Sequence, residues 1–236
     1  MQISKTRTEG MNLNSYLSRR VGAEFIGTYF LVVAGCGAII VNAQSGALSH
    51  VGVSITFGLI VAVMIAATGH ISGAHFNPAV TIALAITRHF SWREVLPYIG
   101  SQLLGATLGA LTLCTMFGLQ ANLGATLPAG EPFQSLIMEI LLTAILVFVI
   151  TSVATDQKSA GLLAPLAIGA AVTLDALWGG PISGASMNPA RSFGPALIAG
   201  IWSHHWVYWL GPVIGGILGA GIFQLVRLPS AKSDTK

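Results

Sequence analysis

The sequence predicts an all-α membrane protein, with six transmembrane helices and two re-entrant half-helices in an inverted 3+3 repeat. Three observations predict it. Only 8% of the 236 residues are charged and 53% are hydrophobic. An ordinary soluble domain carries about 25% charged residues, so this chain cannot cover a water-facing surface and lipid is its expected solvent. Six apolar stretches approach the ~20 residues a helix needs to cross a bilayer. A ten-residue segment occurs twice.

Residues 1–18 are polar and read as a tail. The first span, about 21–43, is longer than the ~7–15 residues of a signal-peptide core and is read as retained. The remaining spans are 50–70, 94–118, 133–154, 160–180 and 204–227. Two shorter apolar stretches, 77–87 and 188–199, are left over. At ~1.5 Å per residue each covers about half of a ~30 Å hydrocarbon core.

The repeat explains the short stretches. Ser72-Gly-Ala-His-Phe-Asn-Pro-Ala-Val-Thr81 matches Ser183-Gly-Ala-Ser-Met-Asn-Pro-Ala-Arg-Ser192 at six of ten positions, at an offset of 111 residues. The same offset aligns Gly100 with Gly211 and Gly105 with Gly216, and Glu24 and Glu139 fall at similar places in the first span of each half. Residues 19–120 and 133–228 therefore each hold three spans and one half-helix, joined by a loop at 121–132 and followed by a tail at 229–236. Three is odd, so the second half enters from the opposite side and the half-helices meet near the midplane.

Lys5, Arg7, Arg19, Arg20, Arg88, Arg93, Lys158, Arg227, Lys232 and Lys236 all fall on one side of this topology, while the loops at 44–49 and 119–132 contain no Lys or Arg. The basic side is cytoplasmic by the positive-inside rule, which puts both termini in the cytoplasm and the 121–132 loop outside. Of the eleven basic residues Arg191 alone lies at membrane depth. A charge there costs at least ~2.5–3.5 kcal/mol on insertion scales and points to function.

Asn is a strong N-cap and Pro suits the first helical position, so Asn77 and Asn188 each start a half-helix. Extended backbone precedes each one, and such backbone is tolerated in a membrane only where protein buries it or water bathes it. The carbonyls of Gly73, Ala74 and His75, and of Gly184, Ala185 and Ser186, are expected to line a file of acceptors. Two helix N-termini, each worth about +0.5 charge, aim at one midplane spot and repel protons and cations. The amides of Asn77 and Asn188 add donors there. A water whose oxygen is held by both turns its hydrogens outward, which interrupts a proton wire.

These motifs, from Gly69 to Ala79 and from Asn188 through Arg191-Ser192-Phe193-Gly194 to Pro195, resemble the aquaporin, or major intrinsic protein, family over about residues 19–228. Aquaporin-type selectivity is understood in the terms just given. The stretch Gly179 to Arg191 is most similar to nodulin-26-like intrinsic proteins and their bacterial relatives. The resemblance implies a passive channel for water and small uncharged solutes, a homotetramer with one pore per subunit, residence in the plasma or inner membrane, and no cofactor. It assigns Phe57, Ala176, Ala185 and Arg191 to a selectivity filter on the extracellular side, His70 to the cytoplasmic vestibule, and Glu24 and Glu139 to support of the re-entrant loops.

Strict water channels resemble one another in carrying His at the position of Ala176, so Ala176 and Ala185 imply a wider filter. Arg191 still excludes cations and offers donors to hydroxyl or carbonyl oxygens. Glycerol and undissociated metalloid acids such as arsenous acid fit this filter. Ser192, where glycerol facilitators commonly have Asp, and the Tyr208-Trp209 pair point instead toward a water-selective pore. Asp175 either faces away from the pore and satisfies a loop or helix donor, or helps orient Arg191 or hydrogen-bonds a solute at the mouth. His204 and His205, with Trp202 and Trp206, read as interfacial anchors. The spacings Gly105–Gly109 and Gly215–Gly219 read as helix packing.

Cys36 and Cys114 lie in apolar stretches and read as free thiols; no metal-ligand spacing is present. Basic residues do not interleave with aromatics as a nucleic-acid site requires. No nucleophile, base and orienting group converge at the motif, so an enzyme is not expected. Inverted repeats also occur in coupled transporters, but the midplane here offers amides, carbonyls and one Arg rather than a titratable relay.

Overall fold

The computed structural model describes residues 13–155 and 163–227. The sequence-predicted tails, and the loop bearing Lys158, therefore lie partly or wholly outside the described residues. Among the described residues eight α-helices form: α1 (Leu13–Ser45), α2 (Ser49–Ser72), α3 (Pro78–Ile86), α4 (Trp92–Phe117), α5 (Pro132–Thr155), α6 (Ala164–Ser183), α7 (Pro189–Ala199) and α8 (Val207–Val226). Six are long and apolar enough to cross a membrane; α3 and α7 are the short pair.

Several boundaries differ from the sequence reading. Helix α1 begins at Leu13, inside the predicted tail, because no helix breaker separates the polar and apolar residues. Helix α8 begins at Val207, so His204 and His205 precede it. The loop after α4 carries a 3-10 turn, Gln120–Gly124, with Ala121, Asn122 and Leu123 at positive φ.

The two halves interlock. Helix α1 packs on α4 as α5 packs on α8, and α2 crosses α6 between them. Half-helix α3 packs chiefly on α8, and α7 on α4, so each is held by the last span of the other half. Close helix contact needs the paired glycines. A Cβ on Gly105 would lie 2.4 Å from the Phe25 carbonyl oxygen, and one on Gly215 2.3 Å from that of Ile140.

These contacts also correct the sequence alignment. Gly105 is the counterpart of Gly215, not of Gly216. Tyr98 and Tyr208 likewise pair, each donating to the last carbonyl of the span before its half-helix. The offset is 111 through the motif and 110 in α4 and α8. Glycines are frequent enough there to permit either register by eye.

Candidate functional site

Both re-entrant loops begin where a helix is stopped by a left-handed glycine: Gly73 at φ 91° after α2, and Gly184 at φ 82° after α6. The chain then continues with Ala74 at φ 52° and Phe76 at φ 51°, mirrored by Ala185 at 42° and Met187 at 54°. Positive φ costs a non-glycine residue roughly 1–3 kcal/mol, so surrounding bonds must hold it.

Buried carboxylates supply those bonds. Glu24 accepts from Ser72 Oγ (2.7 Å), the His75 N–H (2.9 Å), the Phe76 N–H (2.6 Å) and Gln102 Nε2 (2.9 Å). Glu139 accepts from Ser183 Oγ (2.7 Å), the Ser186 N–H (2.8 Å) and the Met187 N–H (2.7 Å). Tyr98 donates to the Ser72 carbonyl at 2.7 Å and Tyr208 to that of Ser183 at 2.8 Å.

Each loop ends at an asparagine cap. Asn77 is extended (φ −155°, ψ 119°) and its side-chain oxygen accepts from the Ala79 N–H; Asn188 accepts from Ala190 and Arg191. The amide nitrogens reach across to the other loop. Asn77 Nδ2 donates to the Met187 carbonyl at 2.7 Å, and Asn188 Nδ2 to the Phe76 carbonyl at 2.8 Å. A side-chain amide has two hydrogens, so each Asn keeps a second donor. The N-termini of α3 and α7 thus meet at one junction, tied by reciprocal bonds.

The carbonyls divide cleanly. Ser72 and Phe76 oxygens, like those of Ser183 and Met187, accept from protein groups. Between them, no protein group among the described residues donates to the carbonyls of Gly73, Ala74 and His75 or of Gly184, Ala185 and Ser186. Every one of these six residues borders a cavity.

Two cavities run through the fold. One, of about 280 Å³, passes the asparagines and is bordered by the first loop and apolar residues of α2, α5 and α6. The other, of about 390 Å³, opens beside the 3-10 turn. The residues that border both are Phe57, Ala176, Ala185 and Arg191. They form the waist between the cavities. Arg191 is 2% exposed; its guanidinium carbon sits 5.0 Å from the centre of the Phe57 ring, and Nη1 donates to the Gly124 carbonyl at 2.7 Å. Its Nε has no hydrogen-bond partner among the described residues.

Other residues depart from the sequence reading. His70 is exposed and borders neither cavity; Gly69 does, because neighbours on a helix point about 100° apart. The imidazole that borders the first cavity is His75, bonded to Thr81 Oγ1 at 3.1 Å and packed on Phe90 and Tyr98. Asp175 is buried, borders neither cavity and makes no bond to Arg191; among the described residues neither oxygen has a partner at full hydrogen-bond geometry, the Trp178 indole being its nearest donor. Ser192 joins Ser186 Oγ (2.5 Å) and Thr126 Oγ1 (2.7 Å), tying the second loop to the loop before α5. His205 lies among Trp202, Phe193 and Tyr208.

Sequence reasoning missed the Gly124 carbonyl, the tyrosine hydroxyls and the cross-loop bonds of the asparagines. The paired tyrosines had a signal, their matched spacing after Ser72 and Ser183. Gly124 had none.

A family model described as "Major intrinsic protein" matches residues 12–223. Among curated proteins, the chain is 53% identical to Aquaporin NIP1-1 of Oryza sativa subsp. japonica over 211 residues, covering 89% of this chain and 74% of that protein. It is 50% identical to Putative aquaporin NIP4-1 of Arabidopsis thaliana, covering 89% and 75%. Among solved structures, the aquaglyceroporin from Plasmodium falciparum matches with TM-score 0.81 and 25% identity, covering 89% of this chain and 96% of that one.

Proposed function

The chain belongs to the major intrinsic protein family, and from that membership we propose how this channel chooses its solutes. It is a multi-pass membrane channel for water and small solutes such as glycerol or metalloid acids, and not an enzyme. The paired Asn77 and Asn188 hold water and interrupt proton transfer without discriminating among neutral solutes. Discrimination falls to the waist of Phe57, Ala176, Ala185 and Arg191.

The observation that carries this reading is that those four residues border both cavities, and that two of them are alanines. Ala176 and Ala185 add only methyl groups to the waist. Phe57 gives it an apolar wall, and Arg191 gives it donors and a positive charge. A neutral, hydroxyl-rich molecule suits all four; a cation does not. The six free carbonyls accept from its hydroxyls along the way.

The distribution of basic residues supports a cytoplasmic location for both termini, with the 280 Å³ cavity facing the cytoplasm and the 390 Å³ cavity facing outward. The channel works as a homotetramer in the plasma or inner membrane, each subunit with its own pore. Stopped-flow measurements on proteoliposomes, with water, glycerol, urea and arsenite in one preparation, test the solute reading. Flux of glycerol or arsenite above protein-free vesicles is expected. Water flux with neither solute would overturn it.

A further inference from the structure

The geometry points to His50 as a solute-binding residue of the outer vestibule, an acceptor that works with Arg191 to capture polyhydroxylated neutral molecules ahead of the waist. This rests on the solute reading above and adds a site to it.

The argument begins with Pro181. It sits inside α6 and has no N–H, so the carbonyl four residues back, that of Leu177, lacks its helical donor. His50, at the start of α2, fills that place: its Nε2 lies 2.8 Å from the Leu177 oxygen. A carbonyl can only accept, so Nε2 carries the hydrogen. In the neutral ring Nδ1 is then an acceptor. No protein group among the described residues donates to it.

The ring's seat is built by the adjacent glycine. A Cβ on Gly180 would lie 2.6 Å from His50 Cε1. Gly180 and Pro181 together therefore admit the imidazole and fix its tautomer. The seat is also close to the waist, since Leu177 follows Ala176 in α6. An imidazole thus reaches this region from α2, beside a position of α6 that carries only a methyl group.

His50, Phe57, Ala176, Gly180 and Arg191 all border the 390 Å³ cavity. Its hydroxyl side chains are already engaged: Ser54 Oγ donates to the His50 carbonyl at 2.9 Å, and Thr126 Oγ1 pairs with Ser192 Oγ at 2.7 Å. Besides Asn42 Oδ1 and the carbonyls of Gly184 and Ala185, the Nδ1 acceptor and the Arg191 N–H groups not used on Gly124 remain for a solute. A molecule with several hydroxyls gives a hydrogen to Nδ1 and takes one from the guanidinium.

The test compares wild type with His50→Phe, which keeps a ring but removes both nitrogens, and with Gly180→Ala, which keeps the imidazole but displaces it. Glycerol and water permeabilities are measured on the same proteoliposomes, and the glycerol-to-water ratio is expected to fall at least threefold in both variants. In wild-type channel with ¹⁵N-labelled histidine in nanodiscs, glycerol is expected to shift the His50 Nδ1 resonance. An unchanged ratio in both variants, or no shift at saturating glycerol, overturns the assignment. A wild type that passes water alone overturns the solute reading and this site with it.

Discussion

The side-chain nitrogen of Asn188 donates to the Phe76 carbonyl at 2.8 Å, while its oxygen accepts from the N–H groups of Ala190 and Arg191. One residue thus caps its own half-helix and clamps the opposite loop. Asn188→Asp separates the two tasks. Asp is as good a cap and its charge suits a helix N-terminus, but it cannot donate to Phe76. A buried carbonyl left without its donor costs about 1–3 kcal/mol. Thermal unfolding in detergent should show a loss of this size, with water permeability per channel reduced. An unchanged melting temperature would mean that the cross-loop bond contributes nothing.

Glu139 accepts three bonds and donates none. Glu139→Gln removes about half of that accepting capacity and turns an amide hydrogen toward backbone N–H groups. Ser186 N–H sits on one carboxylate oxygen and Met187 N–H on the other, so one of the two loses its acceptor beside a Met187 held at positive φ. The second loop should loosen, with stability falling by roughly 2–3 kcal/mol as one or two buried donors lose their partner. Glu24→Gln should loosen the first loop at least as much, because Glu24 also accepts a fourth bond, from Gln102, that Glu139 lacks. The yield of folded protein and its melting temperature check both.

Arg191 is fixed by the Gly124 carbonyl and the Phe57 ring. Arg191→Lys keeps the charge but loses the planar fork that serves both contacts. The waist should widen, and glycerol flux should rise severalfold while cations stay excluded. Gly124→Ala should give a smaller change in the same direction. Gly124 has φ 69°, and a Cβ there would lie 3.0 Å from the Cys36 Cβ, so the carbonyl must shift. Glycerol swelling assays and a pH-sensitive dye inside the vesicles measure both consequences.

The six spans, the two half-helices and the asparagine caps were legible because each rests on local chemistry: apolar length, Asn followed by Pro, and a repeat. Phe57, Ala176, Ala185 and Arg191 were singled out by resemblance, through fixed spacing from Asn77 and Asn188, and they are the residues that border both cavities. What escaped depends on contacts between distant segments. The Gly124 carbonyl reaches Arg191 across 67 positions, and backbone carbonyls carry no sequence label. The vestibule expectation for His70 depended on where α2 ends; with the helix running to Ser72, His70 is exposed and the His75 ring borders the cavity. The register of α4 against α8 slipped by one for a related reason: glycines align easily, whereas Tyr98 and Tyr208 mark equivalent places only once their hydroxyls find Ser72 and Ser183.

Ala176 offers the most direct control over solute choice. It is buried, borders both cavities, and follows Asp175, which borders neither. Ala176→His places an imidazole among the residues that border both cavities, taking up space and adding a polar group. A water molecule needs little width and can exchange hydrogen bonds with that ring. Glycerol carries a carbon backbone past the same point and should be blocked. Glycerol flux should therefore fall at least tenfold, about 1.4 kcal/mol or more on its barrier, while water flux falls much less. Asp175→Asn, one position away and off the pore, should leave the glycerol-to-water ratio unchanged. Equal losses of water and glycerol in Ala176→His would indicate a collapsed pore rather than a narrowed one, and unchanged glycerol flux would remove Ala176 from the waist.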